Sequence, residues 1–238
     1  MSETFADSVS GVSALAEPLR RELYLYVVAQ PAAVSRDQAA SGVGVPRHTA
    51  KFHLDRLVEE GLLETEFRRL SGRGGPGAGR PAKLYRRSDR QVSVSLPDRR
   101  YDLAGRVLAR AVEESGRDGT PVLEAVRRVA ADVGRDLAED ARDDEGGSGP
   151  PAGLGAVSEA LAAYGFEPRT ADDRVTLANC PFHALAREHT SLVCGMNVEL
   201  VGGVLDGLGE AGLVAELDPA PGRCCVTIRE RAVEEGAG

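Results

Sequence analysis

All four cysteines of the 238-residue chain, Cys180, Cys194, Cys224 and Cys225, fall within its last 59 residues. Sulfur gathered in one region suits soft-metal or redox chemistry, because the thiolate is both the metal ligand and the nucleophile. Cys180-Pro-Phe-His183 places a thiol and an imidazole within reach of one ion. The two close CxxC pairs of a zinc ribbon are absent: 13 residues separate Cys180 from Cys194, and 29 separate Cys194 from Cys224. Cys180 is expected just ahead of a helix, whose N-terminal dipole lowers a thiol pKa. Cys194 is expected within that helical region. Cys224 shares a predicted strand face with Val226 and Ile228, pointing inward, and Cys225 then points the other way. The convergent trio is therefore Cys180, Cys194 and Cys224, with Cys225 or His183 as a fourth ligand. Core packing is the competing role for each thiol, since free cysteine behaves as a small hydrophobe. For His189 a surface or capping role is expected. An enzyme with Cys180 as nucleophile and His183 or His189 as base is not expected, because no oxyanion or acid–base constellation accompanies them.

Charge is the second chemical feature. The net charge of −8 argues against nucleic acid, yet residues 1–100 carry +4 and the remainder −12. Between Arg68 and Arg90 stand eight basic side chains and one acid, Asp89, enough to neutralise several phosphates.

The elements that must position these groups follow from periodicity. Leu15, Leu19, Leu23 and Val27 predict a core helix that ends before Pro31. Ser35 and Gln38 form a capping-box pattern that starts a second helix, closed by Gly42 and Gly44. Pro46 opens a third, with Ala50, Leu54, Leu57 and Val58 on one face until Gly61. LLETEFRRL and KLYRRS then read as strands joined by SGRGGPGAGRPA. Three helices with a glycine turn and a basic hairpin predict a winged helix-turn-helix, whose third helix fits a major groove about 12 Å wide. Arg47, His48, Thr49, Lys51 and Phe52 point away from the apolar face and are the candidate base-edge and phosphate contacts. A solvated helix face is the competing reading for each, and His53 is expected to be half-buried. In the wing, Arg73, Arg80 and Lys83 suit a minor groove about 6 Å wide. Gly79-Arg80-Pro81 resembles the core of an AT-hook.

Residues 101–116 and 120–143 predict two more helices. The second carries Val122, Val126, Val129, Val133 and Leu137 at helical spacing, a stripe that either docks two chains or covers this chain's own core. DDEGGSGPPAGLG, from Asp143, reads as a flexible linker with a boundary near residue 150. Beyond it come a helix, a hairpin turning at Ala171-Asp172-Asp173, a helical region from His183 to Leu208, and strands VAELD and RCCVTIRE. The expected fold is α+β: a winged helix-turn-helix over 1–95, a helical dimerisation segment and linker over 96–150, and a small cysteine-containing sensor domain over 151–238. No apolar run reaches the roughly 20 residues of a membrane span, Leu192–Leu213 being interrupted by Glu199, Asp206 and Glu210. MSETFADSVSG lacks the pattern of a secretory signal, so a reducing cytoplasm without structural disulfides is expected.

LAEPLRRELYLYV, TAKFHLDRLVEEGLL and GRPAKLY, in that order over about residues 13–88, resemble the winged-helix regulators of the ArsR type. The resemblance implies a homodimer on an inverted-repeat DNA operator. NCPFHALAREHTSLVCGMNVEL followed by PGRCCVTI, within about residues 157–229, resembles the C-terminal sensor domain of the SufR-like iron–sulfur-responsive repressors. That likeness implies an iron–sulfur cluster, of 4Fe-4S type, held by Cys180, Cys194 and one of Cys224 and Cys225, with the noncysteine ligand left open. The scaffold also resembles vinyl-reductase-like ligand-binding domains. The expected function is a non-enzymatic repressor whose cluster controls operator binding. The alternatives for the same domain are zinc, thiol redox state or a small organic ligand.

Overall fold

The computed structural model describes residues 5–69, 81–144, 153–171 and 173–231. The chain forms two compact units, Met1–Val94 and Ser95–Gly238.

The first unit contains α1 (Phe5–Ala14), α2 (Pro18–Val28), β1 (Val34–Ser35), α3 (Arg36–Val43), α4 (Arg47–Glu59), β2 (Leu63–Arg68) and β3 (Ala82–Arg87). The stripe beginning at Leu15 is not one helix. Pro18 occupies the first turn of α2, and the Glu17 carboxylate caps it, accepting from the backbone N–H of Arg20 (2.6 Å) and Leu19 (3.2 Å). The hydrophobic pattern does not announce α1, because its buried face consists of Ser8, Gly11 and Ala14 while Phe5, Val9 and Val12 are exposed. Ser35 and Gln38 make the full capping box at α3, and Gly44 closes that helix at φ 78°. The chain then turns through Pro46 into α4. Strand β3 runs between β1 and β2, antiparallel to both, with Tyr85 opposite Val34 and Thr65. Leu23, Leu54, Leu57, Leu63 and Tyr85 are buried beneath.

The second unit contains α5 (Tyr101–Asp118), α6 (Val122–Asp144), α7 (Leu154–Ala162), β4 (Pro168–Ala171), β5 (Arg174–Leu177), α8 (His183–Glu188), α9 (Thr190–Leu208), β6 (Leu213–Leu217) and β7 (Val226–Glu230). Its sheet is antiparallel in the order β4-β5-β7-β6. Helices α6 and α9 touch backbone to backbone. A Cβ on Gly134 would lie 2.1 Å from the Leu200 carbonyl oxygen, and one on Gly203 would lie 2.1 Å from that of Ala131. Val126, Val129, Val133 and Leu137 therefore bury in the same core as Val193, Met196, Leu200 and Val204. This packing decides one open alternative and corrects one boundary. The valine stripe covers its own chain's core, leaving only Val122 at its start exposed. The boundary placed near residue 150 separates no cores, since 101–144 and 154–230 share one. Helix α9, 19 residues long, has the length and apolarity of a membrane span, with a mean hydropathy of 1.3 over an 18-residue window, but its apolar side chains form this core.

Substituting Gly203 by Ala is expected to destabilise the second unit by about 1–3 kcal/mol through overpacking. Gly202→Ala, whose Cβ meets nothing within 4 Å, is expected to stabilise it by up to about 1 kcal/mol through helix propensity. Urea unfolding midpoints of the two variants check the pair.

Candidate nucleic-acid interface and thiol site

Helix α4 buries Ala50, Leu54 and Leu57, which turns the opposite face to solvent. On that face Arg47, His48, Lys51 and Phe52 are exposed and Thr49 is half-buried. Phe52, 65% exposed, stands edge-on to His53 at 5.2 Å between ring centroids. His53 is turned inward, its Nδ1 3.5 Å from the Glu17 carboxylate.

The cations on this surface are not free. Arg47 donates in fork geometry to Asp37 of α3, Nε to Oδ1 at 2.5 Å and Nη2 to Oδ2. Lys51 pairs with Asp55 one turn on, at 3.1 Å. Lys83 of β3 reaches the same carboxylate at 2.7 Å, and the Tyr85 hydroxyl donates to it at 2.8 Å. Burial pushes the Asp55 pKa up, but bonds from Lys83, Tyr85 and Lys51 outweigh it and hold the carboxyl below its ordinary value. Asp37, Asp55 and Tyr85 are participants that sequence reasoning missed; the offset of Asp55 from Lys51, i and i+4 on a helix, was the available signal. Arg73 and Arg80 lie outside the described residues.

The thiols come from three segments. Cys180 follows β5, Cys194 sits in α9, and Cys224 and Cys225 immediately precede β7. The backbone N–H of Cys224 donates to the Leu177 carbonyl at 2.8 Å, which ties the Cys224 loop to the end of β5. Asn179, buried, donates to the Gly165 and Asp98 carbonyls at 2.6 and 2.9 Å and accepts from Arg99, fixing the residue before Cys180. From α9, Asn197 lies one turn beyond Cys194 and donates Nδ2 to Cys224 Sγ at 3.2 Å. Asn197 is 1% exposed and its Oδ1 has no hydrogen-bond partner among the described residues.

Neighbouring thiols act on one another along the path Cys180–Cys224–Cys225–Cys194. The bond to Cys224, followed by burial, pushes the Cys180 thiol up. Burial pushes Cys194 up, against a lowering bond with Cys225. Cys180 pulls Cys224 down, but Cys225 and burial prevail and leave it pushed up to about 11. The expected lowering of the Cys180 pKa by a helix dipole is thus reversed. Helix α8 starts only at His183, and the thiol lies beside a second thiol in a largely buried position. Cys224 faces inward with Val226 and Ile228 as expected, but Cys225 does not face away from the other sulfurs, because it precedes the strand and escapes its alternation. His183 and His189 have exposed side chains. Among the described residues no group of three or more His, Cys, Asp or Glu side chains is disposed to hold a metal ion as it stands. Asn197 is the residue that sequence reasoning missed here; a single amide in the apolar stretch Val193–Val204 was its signal.

Residues 15–66 match the family model of a helix-turn-helix domain. The match covers α2, α3, α4 and the start of the hairpin, and it supports a DNA-binding transcriptional regulator. Comparison with the curated proteins and with the solved structures gives no match.

In the metal-free protein Cys180, Cys194 and Cys224 are expected to stay protonated at neutral pH and to react with iodoacetamide far more slowly than in the unfolded chain. Their folded pKa values lie above the ordinary thiol value of 9.0. The folded state therefore binds more protons than the unfolded chain as pH passes that value. The stabilisation is full below pH 9 and is lost as pH rises, for Cys224 through about 11. Peptide mapping of labelled protein checks this, and fast native labelling at neutral pH contradicts it.

Proposed function

We propose that the protein is a dimeric DNA-binding repressor whose thiol site takes up an iron–sulfur cluster, of 4Fe-4S type, and thereby controls operator binding. The observation that carries this reading is the adjacency of four thiols from three chain segments, two of them buried and two half-buried, beside an amide that donates to sulfur. The donor set fits such a group in kind, because soft thiolates suit iron and its sulfides, and a buried N–H next to a ligating sulfur offsets its charge. Cys180, Cys194 and one of Cys224 and Cys225 would hold it. When bound, the cluster supplies sensitivity to oxidants and to iron supply. The chain's own residues do the rest. The thiols would have to give up their protons to hold such a group, and the Cys224–Cys225 loop, held to β5 by the Cys224 N–H and to α9 by Asn197, is the segment that would bring its sulfurs to it. Regulation requires the loaded form to favour the DNA-competent dimer by about 1–3 kcal/mol. Arg47, His48, Thr49, Lys51 and Phe52 read the major groove, with Lys83, Arg73 and Arg80 adding contacts from the wing.

A second reading, thiol redox sensing, is favoured by the pairwise adjacency of Cys180 with Cys224 and of Cys194 with Cys225. A peroxide would take two electrons and two protons from a thiol pair, leaving a disulfide and water or alcohol. Disulfide mapping after mild peroxide treatment separates it from the cluster. One zinc per chain without sulfide would instead support a zinc site.

An operator is obtained by selection from random duplexes, and its affinity for anaerobically reconstituted and apo protein is compared. The loaded form is expected to bind about 5- to 150-fold more tightly; equal binding contradicts cluster control. Cys180→Ser is expected to lose the visible absorbance of the reconstituted protein with the helix-turn-helix unit still folded. Retained absorbance would remove Cys180 from the ligand set.

A further inference from the structure

Every lysine and arginine among the described candidate DNA contacts is held by a carboxylate: Arg47 by Asp37, and both Lys51 and Lys83 by Asp55. Such acids on a DNA-facing surface oppose phosphate attraction, so they call for a compensating role. Asp55 is the better placed of the two. Its Oδ2 takes Lys51 from its own helix. Its Oδ1 takes Lys83 and the Tyr85 hydroxyl, two residues apart on one face of β3. Tyr85 is 2% exposed and sits in the middle strand of the sheet, so its hydroxyl is a fixed point. The ammonium of Lys83 also lies 5.2 Å from the centroid of the Tyr85 ring. One carboxylate thus joins the helix that enters the groove to the strand that leads into the wing.

We propose that Asp55 is a positioning residue of the DNA-reading surface, which fixes the wing strand against α4 and trades non-specific phosphate attraction for discrimination between sequences. The proposal rests on the DNA-binding reading. Each lysine keeps N–H donors beyond the one spent on Asp55, so both can still meet a phosphate, but only from the directions the shared carboxylate allows. The cluster carries one net positive charge where two unpaired lysines would carry two. Helix and wing therefore approach a duplex as one rigid reader, and a duplex whose phosphates fall out of that register gains less from them.

The test uses the full chain and two duplexes of equal length, one selected from a random pool and one of arbitrary sequence, titrated over a series of salt concentrations. Asp55→Asn keeps the side-chain shape and removes the charge. It is expected to bind the arbitrary duplex about 3- to 10-fold more tightly and with a steeper salt dependence, by up to about 0.9 in the logarithmic slope. The selected duplex gains nothing, so the ratio between the two falls by the same factor, about 3- to 10-fold. Tyr85→Phe, which removes only the buried hydroxyl, is expected to lower the ratio with the salt slope unchanged, and it decides the matter if Asp55→Asn does not fold. Equal changes on both duplexes, or none, overturn the proposal, because a merely structural role moves the two affinities together. A wild-type protein that binds neither duplex at low salt overturns the DNA-binding reading itself.

Discussion

The second unit depends on the backbone contact between α6 and α9. Gly134 and Gly203 let the two helices close to a distance at which any side chain on either would strike a carbonyl. Overlap at that range leaves no room for slippage, so α9 has one position relative to the rest of the core. The other side of α9 carries Cys194 and Asn197 toward the loop before β7, and the thiol site inherits its geometry from this crossing. Helices α5 and α6 are therefore part of the structure that presents sulfur, and the cysteine-bearing segment buries its apolar surface together with them.

Within that frame the chain places groups with conflicting needs side by side. Buried thiols prefer to remain neutral, and the direction of all three resolved shifts says that they do. Asn197 is arranged for the opposite state: its amide offers a donor to sulfur while its own oxygen has no hydrogen-bond partner among the described residues, which costs about 1–3 kcal/mol when buried. A site that is comfortable neutral and also carries a donor aimed at sulfur fits the proposed sensor, which has to pass between an empty and a loaded state. In the helix-turn-helix unit the same logic appears with charge in place of protonation. Carboxylates at positions 37 and 55 hold Arg47, Lys51 and Lys83, the cations that the proposed reading assigns to phosphate contact.

Local chemistry was readable where it needed no partner. The capping box at Ser35, the left-handed Gly44 and the buried face of α4 all follow from short-range rules. Misreadings came where tertiary contacts decide. Helix α1 was invisible because its buried face is small and polar and its apolar residues face out. Leu15 fell into a stripe that Pro18 and Glu17 interrupt. The glycine- and proline-rich composition after Asp143 suggested a division between domains, yet a long connection costs little in closure entropy and says nothing about which cores it joins. At the thiol site the cysteines were identifiable by type and clustering. Their mutual arrangement was not: Cys224 packs inward with Val226 and Ile228 as strand alternation expects, but Cys225, just ahead of the strand rather than in it, does not turn away from the other sulfurs. Asn197 acquires meaning through a partner 27 residues away, and Asp55, whose pairing with Lys51 is local, gains its link to the wing strand through Lys83, 28 residues away.

The central claim is that sulfurs distant in sequence unite around an inorganic centre. It is tested most directly by isolating the protein without oxygen, recording its absorption spectrum, and assaying iron and acid-labile sulfide in the same sample. The account predicts broad sulfur-to-iron charge-transfer bands in the visible, with iron and sulfide in near-equal amounts that vanish together on exposure to oxidant. A colourless protein that contains neither, and that acquires neither on anaerobic incubation with iron and sulfide, would contradict it.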